Sequence, residues 1–377
     1  MAELREFFVV CTLGLEPALE RELQALGAQN IVVQRGGATC QGDLALGYAM
    51  NLWLRSAIRV QEFVLEGRAL SVPDLYRIVR AYDWSRTTGP ALTLAVDATV
   101  TSGWMTHSGY AAQVVKDAIV DQIRERHGAR PDVDRRQPDL PLKLVLRDDH
   151  VLLYRNLSGP SLHKRGWRQV QVKSPLNEAT AAGLLILAEW TPQQTLVDPM
   201  CGSGTFLIEA AHMAMDRAPG LMRHFPFEAW PDFDADQWSR LRAAARQRMR
   251  PSPGVELLGA DWHPGAIAIA RSTADAAGVG RAIRFEQQSA GELRLENPPA
   301  VVTVNPPYGE RLGQDEAELY DSWRQLARFL HEECSGAVAW VLSGNPELTR
   351  VLRLKSSRKH PLRNGSIDCR WLRYDVR

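Results

Sequence analysis

After Gln169 the chain falls into a regular alternation: NEATAAGLLILAEW, TLVDP, GTFLIEAAHMAMD, VELLGAD, PGAIAIARSTADAAG, IRFEQQ, AVVTVN, LYDSWRQLARFLHEE and GAVAWVLS. Amphipathic helical stretches interleave with short runs that are apolar at successive positions. A strand of the second kind must be buried on both faces, and strands joined through helices pair in parallel. One architecture meets both demands, a doubly wound, mostly parallel α/β sheet covered on each side. Sheets of this kind bind ligands at the carboxyl edge of their strands, so the residues just after each apolar run are where chemistry is expected.

The first part of the chain reads differently. A strand (Phe7 to Thr12), a helix (Glu16 to Leu26), hairpin strands joined by Gly36-Gly37 and a helix (Leu44 to Leu54) predict a small α+β unit over 1–58. A second α+β unit is predicted over 59–168, from VQEFVLEGRAL through the long helical stretch YAAQVVKDAIVDQIRERH to the turn-rich LSGPSLHKRGWR. The alternating region, 169–377, is the third unit, and 377 residues are too many for a single core. Between Asp216 and Gly254 an insertion containing PDFDADQWSRLRAAARQRMR is predicted to form one exposed basic helix.

The net charge of +1 excludes a generally polycationic binder, so contact with nucleic acid would rest on local patches. From His150 to Asn177 there is no acid, and Arg155, Lys164, Arg165, Arg168 and Lys173 fall inside; a second basic stretch covers Arg350 to Arg377. Such runs are ordinarily solvated faces. Five scattered cysteines without C-x-x-C spacing indicate neither zinc nor a disulfide framework, and no apolar run is long enough to span a bilayer. The expectation is a cytoplasmic protein without membrane or metal.

Three strand ends carry candidate chemistry. VDPMCGSGT, Val197 to Thr205, has Gly202 and Gly204 for a tight turn, but Leu207 breaks the full dinucleotide fingerprint. Asp198, at the strand end, suits an ammonium group better than a phosphate. The next strand ends in Asp261, where such folds present an acid to ribose hydroxyls. The fourth ends in NPPY, where two consecutive prolines hold a stiff corner that displays Asn305 and Tyr308. Singly, each could be a cap or a turn.

Together, and in this order, VDPMCGSGT and NPPY resemble the S-adenosylmethionine-dependent amino-methyltransferases. The resemblance implies a Rossmann-like class I methyltransferase domain, with S-adenosyl-L-methionine held by Asp198, Pro199, Cys201, Gly202, Gly204, Thr205, Asp261, Ser289 and Asn305, and with Glu178 as a cofactor-side contact. Asn305, Pro306 and Tyr308 would be catalytic. Further back, GYAAQVVKDAIVDQIRE, RPDVD and LSGPSLHKRGWR resemble the THUMP RNA-binding domain. With SPLNEATAAGLL, DRAPGL and NPPYGERLG, essentially the whole chain is similar to the N-terminal half of the RlmL-type bacterial methyltransferases, in which a ferredoxin-like unit precedes the THUMP domain.

That family implies N2-methylation of a guanosine in 23S ribosomal RNA, naked or within an assembling large subunit, with Lys164, Arg165 and Arg168 meeting RNA. Asn305 and the Pro306 carbonyl would accept the two amine hydrogens, and Tyr308 would stack on a base turned out of its helix, so Tyr308→Phe is expected to be mild. Two departures stand out. Ser289 occupies the position where relatives carry the acid that meets the adenine amine, with Glu292 a nearby substitute, and the sequence holds one methyltransferase unit where the fused form has two. Glu209 reads as structural, Trp167 and Trp262 as packing, and His331 with Cys334 as no metal pair. The alternatives are a transfer-RNA guanine-N2 methyltransferase and a non-catalytic RNA-binding assembly factor.

Overall fold

A computed structural model describes residues 3–167, 176–309 and 316–377. Two seven-stranded sheets organise it. The first is built from β1 (Arg5–Cys11), β2 (Gln29–Gln34), β3 (Gly37–Gly42), β4 (Ala57–Arg68), β5 (Leu94–Thr101), β6 (Leu140–Arg147) and β7 (His150–Asn156), in the order β2-β3-β1-β4-β7-β6-β5. Its helices are α1 (Glu16–Ala25), α2 (Leu44–Trp53), α3 (Val72–Ala81) and α4 (Ser108–His127). Local chemistry sets their ends. Asp43 accepts the Leu46 amide at the start of α2, Ser71 accepts that of Asp74 at the start of α3, and Gly128 at φ 72° stops α4.

β4 pairs with β1 on one side and with β7 on the other. The ferredoxin-like and THUMP stretches therefore share one sheet, and the expected boundary at 58/59 falls inside a strand. Sequence patterning finds each strand but not its second partner.

The other sheet holds β8 (Leu196–Asp198), β9 (Leu257–Ala260), β10 (Arg284–Glu286), β11 (Val301–Val304), β12 (Val338–Ser343), β13 (Arg358–Asn364) and β14 (Ile367–Asp375), in the order β10-β9-β8-β11-β12-β14-β13. β8 to β12 run parallel, and β14 is antiparallel to both β12 and β13. Around it lie α5 (Glu178–Leu187), α6 (Thr205–Ala214), α7 (Ala235–Arg248), α8 (Pro264–Ala276), α9 (Glu316–Glu333) and α10 (Pro346–Val351). Successive strand residues enter opposite cores: Leu196, Leu257 and Val301 join the core that runs on into the first sheet, while Val197, Leu258 and Val302 join a second core with Trp323, Leu326 and Phe329 of α9. That two-sided burial explains the continuous apolar runs. The basic stretch from Arg350 is largely the β13–β14 hairpin, which completes the sheet.

The insertion corrects its expectation. α7 forms, with most of its arginines exposed, but the segment is docked. Phe227 stacks on Tyr48 of α2 at 4.6 Å, and Trp238 meets Tyr48, Phe225 and Phe227 edge-on. Asp232 accepts from Arg155 at 2.6 and 3.0 Å and from Arg5 at 3.0 Å, while Glu62 holds both arginines from the other side. The Arg155 guanidinium also lies 4.4 Å over the Trp230 ring. Arg155, read in sequence as part of a basic face, is thus a buried tie between the sheets.

Candidate active site

β8 delivers Asp198 to the carboxyl edge with 2% of its surface exposed. Its Oδ1 accepts the Met200 amide at 3.2 Å. Burial, and then the charge of nearby Asp261, push this carboxyl well above the usual range despite that hydrogen bond. The loop that follows turns on Gly202 (φ 53°) and Gly204 (φ 75°), both left-handed, and a Cβ at Gly204 would press on the Phe285 ring at 3.1 Å. Cys201 is buried, its amide donating to the Ala260 carbonyl at 2.8 Å, and Thr205 opens α6 with its hydroxyl 3.3 Å from Ser203. Pro199, between Asp198 and Met200, is buried.

Asp261, just past β9, binds this loop to its neighbour. One carboxylate oxygen accepts the Gly202 amide at 3.0 Å and the other accepts the His263 amide at 3.0 Å. Trp262 between them is 68% exposed, which corrects its reading as packing; Trp167, by contrast, is buried. Ser289 follows β10, and its hydroxyl donates to Glu292 at 2.8 Å, so the two candidate polar groups there act as a pair. Glu178 is buried at the first turn of α5, the helix beside α6.

β11 brings the NPPY corner to the same edge. Val302 lies opposite Val197, so Asn305 emerges beside the strand end that carries Asp198. Asn305 Oδ1 is buried and has no hydrogen-bond donor among the described residues. The Pro307 carbonyl is occupied, accepting from Trp323 Nε1 at 2.7 Å, which pins the corner to α9. Tyr308 is half-buried, and its hydroxyl accepts from Asn364 Nδ2 at 3.0 Å. Nothing in local sequence spacing pointed to Trp323 or Asn364, because they reach the corner from separate elements, α9 and β13. The ERLG segment lies outside the described residues.

The three RNA-facing candidates separate. Lys164 is exposed, and Arg168 lies outside the described residues. Arg165 is a correction: it is 5% exposed, and its guanidinium donates to Glu209 at 3.3 Å, the Leu162 carbonyl at 2.8 Å and the Arg55 carbonyl at 2.6 Å. Glu209 itself is fully buried on α6, as a structural role requires. His331 binds the Leu352 carbonyl at 3.0 Å, and the described residues hold no group of three or more potential metal ligands. No helix among them is long and apolar enough to cross a membrane.

Left-handed glycines that let the backbone approach and a buried acid with a free carboxylate oxygen among the described residues fit S-adenosylmethionine. The comparisons point to the same cofactor. Residues 165–373 match the family described as RMKL-like, methyltransferase domain; residues 6–61 match the RlmL ferredoxin-like domain and residues 69–156 the THUMP domain. A putative RNA methyltransferase of Synechocystis is 37% identical over all of this chain and 98% of its own. A ribosomal RNA large subunit methyltransferase K/L of Methylococcus capsulatus is 40% identical over all of this chain and 52% of its own, so the chain spans about half the length of that relative. Among solved structures, a putative methyltransferase complexed with SAH superposes with a TM-score of 0.92 at 27% identity, over all of this chain and 99% of the other.

Proposed function

The chain belongs to the RMKL-like methyltransferase family, and on that premise we propose that it transfers a methyl group from S-adenosylmethionine to the exocyclic N2 amine of a guanosine in 23S ribosomal RNA. The observation that carries the amine chemistry is Asn305 Oδ1, a buried acceptor without a donor among the described residues. Such an atom costs about 1–3 kcal/mol unless something satisfies it, and an amine hydrogen of the substrate is the chemically matched donor.

S-adenosylmethionine, when bound, supplies an electrophilic methyl on a sulfonium. Asp198 would hold its ammonium group, which favours the ionised carboxylate that burial disfavours in the empty protein. Asp261 would keep the loop closed while meeting the ribose. The guanine amine is planar because its lone pair feeds the ring. Asn305 Oδ1 and the Pro306 carbonyl, accepting its two hydrogens, shift density back to nitrogen and orient the lone pair. No strong base is needed, since the methylated ammonium is itself acidic. Tyr308 offers a ring to the extruded base, worth about 1–3 kcal/mol.

RNA would be gathered by the THUMP-containing sheet and the exposed cations near it, Lys164 among them, with Arg165 withdrawn into the interior. The deciding experiment incubates the protein with radiolabelled cofactor and either ribosomal or transfer RNA, then digests the product to nucleosides. Labelled N2-methylguanosine from the large ribosomal RNA is the expected result. Label only in transfer RNA, or on another nucleoside, would replace the substrate; cofactor binding without transfer to any RNA would favour the assembly-factor reading.

A further inference from the structure

We propose that Asn364 is a positioning residue for methyl transfer, acting through Tyr308, and that the N-terminal unit holds it in place; the proposal rests on the NPPY corner being the reactive site. Asn364 ends β13, far from the cofactor loop in sequence, yet its amide donates to the Tyr308 hydroxyl at 3.0 Å. The ring is confined at a second point. A Cβ added to Gly344, just after β12, would sit 3.3 and 3.5 Å from Tyr308 ring carbons and 2.9 Å from Ile367, the first residue of β14. The catalytic tyrosine is thus seated against the hairpin at the edge of the sheet, as well as on its own strand end.

That hairpin has an external support. The Arg363 amide donates to the Leu13 carbonyl at 3.0 Å, and Gly14 (φ 93°) comes so near that a Cβ there would lie 2.3 Å from the Pro361 carbonyl. The Leu13–Gly14 turn is itself fixed by Glu16, whose carboxylate accepts the Gly14 amide at 2.6 Å and the Gly36 amide at 2.8 Å. An unbroken series of short contacts runs from the loop after β1, through β13, to Asn364 and Tyr308. A ring that must receive a base in one orientation gains from a hydroxyl anchor, because a fixed ring loses no rotational freedom on stacking. The hydroxyl therefore has work that a stacking role alone does not give it, and Tyr308→Phe is no longer expected to be mild.

A double-mutant cycle tests this, read as single-turnover transfer of labelled methyl to ribosomal RNA. Asn364→Leu and Tyr308→Phe should each slow transfer about tenfold, and the double variant should be no slower than either, because both remove the same bond. Asn364→Asp should restore most of the rate, since a carboxylate can accept from the tyrosine hydroxyl. Cofactor affinity and melting temperature should stay at wild-type values. Independently of turnover, amide hydrogen exchange at Tyr308 and Gly309 should rise alike in both single variants. Multiplying losses of about a hundredfold in the double variant, or an Asn364→Leu protein with unchanged rate and exchange, would overturn the proposal. Wild-type transfer to a nucleoside other than guanosine would defeat the substrate reading while leaving the cycle and the exchange measurement to judge Asn364.

Discussion

The junction between the two sheets and the carboxyl edge of the second sheet both bury polar groups, and the clearest difference lies between the arginines of the one and Asn305 and Asp198 of the other. At the junction, Arg155 uses its whole guanidinium on Glu62, Asp232 and the Trp230 face, and Arg165 is bonded to Glu209 and two carbonyls. At the edge, among the described residues, Asn305 Oδ1 has no donor, and Asp198 is buried with a single amide hydrogen bond to its carboxylate and a neighbouring acid that raises its pKa further. Paired groups such as Arg155 hold a fold; unpaired buried atoms occur at the junction too, Glu209 Oε2 and Arg55 Nη1 among them, and Asn305 Oδ1 differs in standing at the strand edge where sheets of this kind bind ligands. The contrast separates buried arginines that look like RNA contacts in the sequence from side chains that stand at the candidate site.

The sharpest break in that contrast is Asn305→Ala. It should lower the single-turnover rate by about a hundred- to a thousandfold, with cofactor and RNA affinity nearly intact, and stability should not fall because the lost atom was unsatisfied. Titration calorimetry and a melting curve beside the rate would expose a merely structural role as loss of stability. Next comes Asp232→Ala at the junction, where removing one partner of the buried Arg155 should cost about 3 kcal/mol in chemical denaturation. Turnover per folded molecule should be unchanged; a rate collapse at full stability would move the junction into the reactive machinery.

Asp198→Asn should reverse that pattern, weakening cofactor binding by about 2–3 kcal/mol while stabilising the empty protein. The sign follows from the raised carboxyl pKa. The folded state holds this proton more tightly than the unfolded chain does, so the wild type loses stability as pH rises above the ordinary carboxyl range toward the raised value, and the amide removes that loss. Cofactor affinity in the wild type should run the other way, strengthening over the same pH rise as the carboxylate forms. Melting curves and calorimetry across pH check both slopes. The smallest effect belongs to the surface: Lys164→Ala should reduce the slope of log RNA affinity against log salt by about one, whereas Arg165→Met should leave the slope unchanged and lower the melting temperature.

The second sheet was legible because its strands are buried on both faces, and that demand shows as continuous apolar runs between amphipathic helices. The positions of Asp198, Gly202, Gly204, Asp261 and Asn305 were legible because each lies at the carboxyl end of a strand or in the turn that follows it. Contacts made at long range were not. Nothing around Asn364 distinguishes a turn asparagine from one that holds Tyr308, and the acid-free run containing Arg155 and Arg165 looks like a solvated face because their partners, Glu62, Asp232 and Glu209, lie elsewhere in the chain. Charge patterning along a sequence registers neighbours in sequence, and burial pairs residues that are neighbours in space. Trp262 failed in the opposite sense: a tryptophan is ordinarily packed, and here the turn after Asp261 leaves it 68% exposed.

β4 also constrains the order in which this protein can be made. As the chain emerges from the ribosome, β1 to β4 can pair once Arg68 has been made, but the backbone of β4 from Gln61 to Arg68, a stretch that includes Phe63 and Leu65, has no partner along its other edge until β7 at His150–Asn156 has been synthesised. During that interval the nascent sheet carries an open, partly apolar edge of the kind that invites pairing with another chain. Slow translation or a nick between β4 and β7 should therefore tell first as aggregation, before any defect in methyl transfer could be observed.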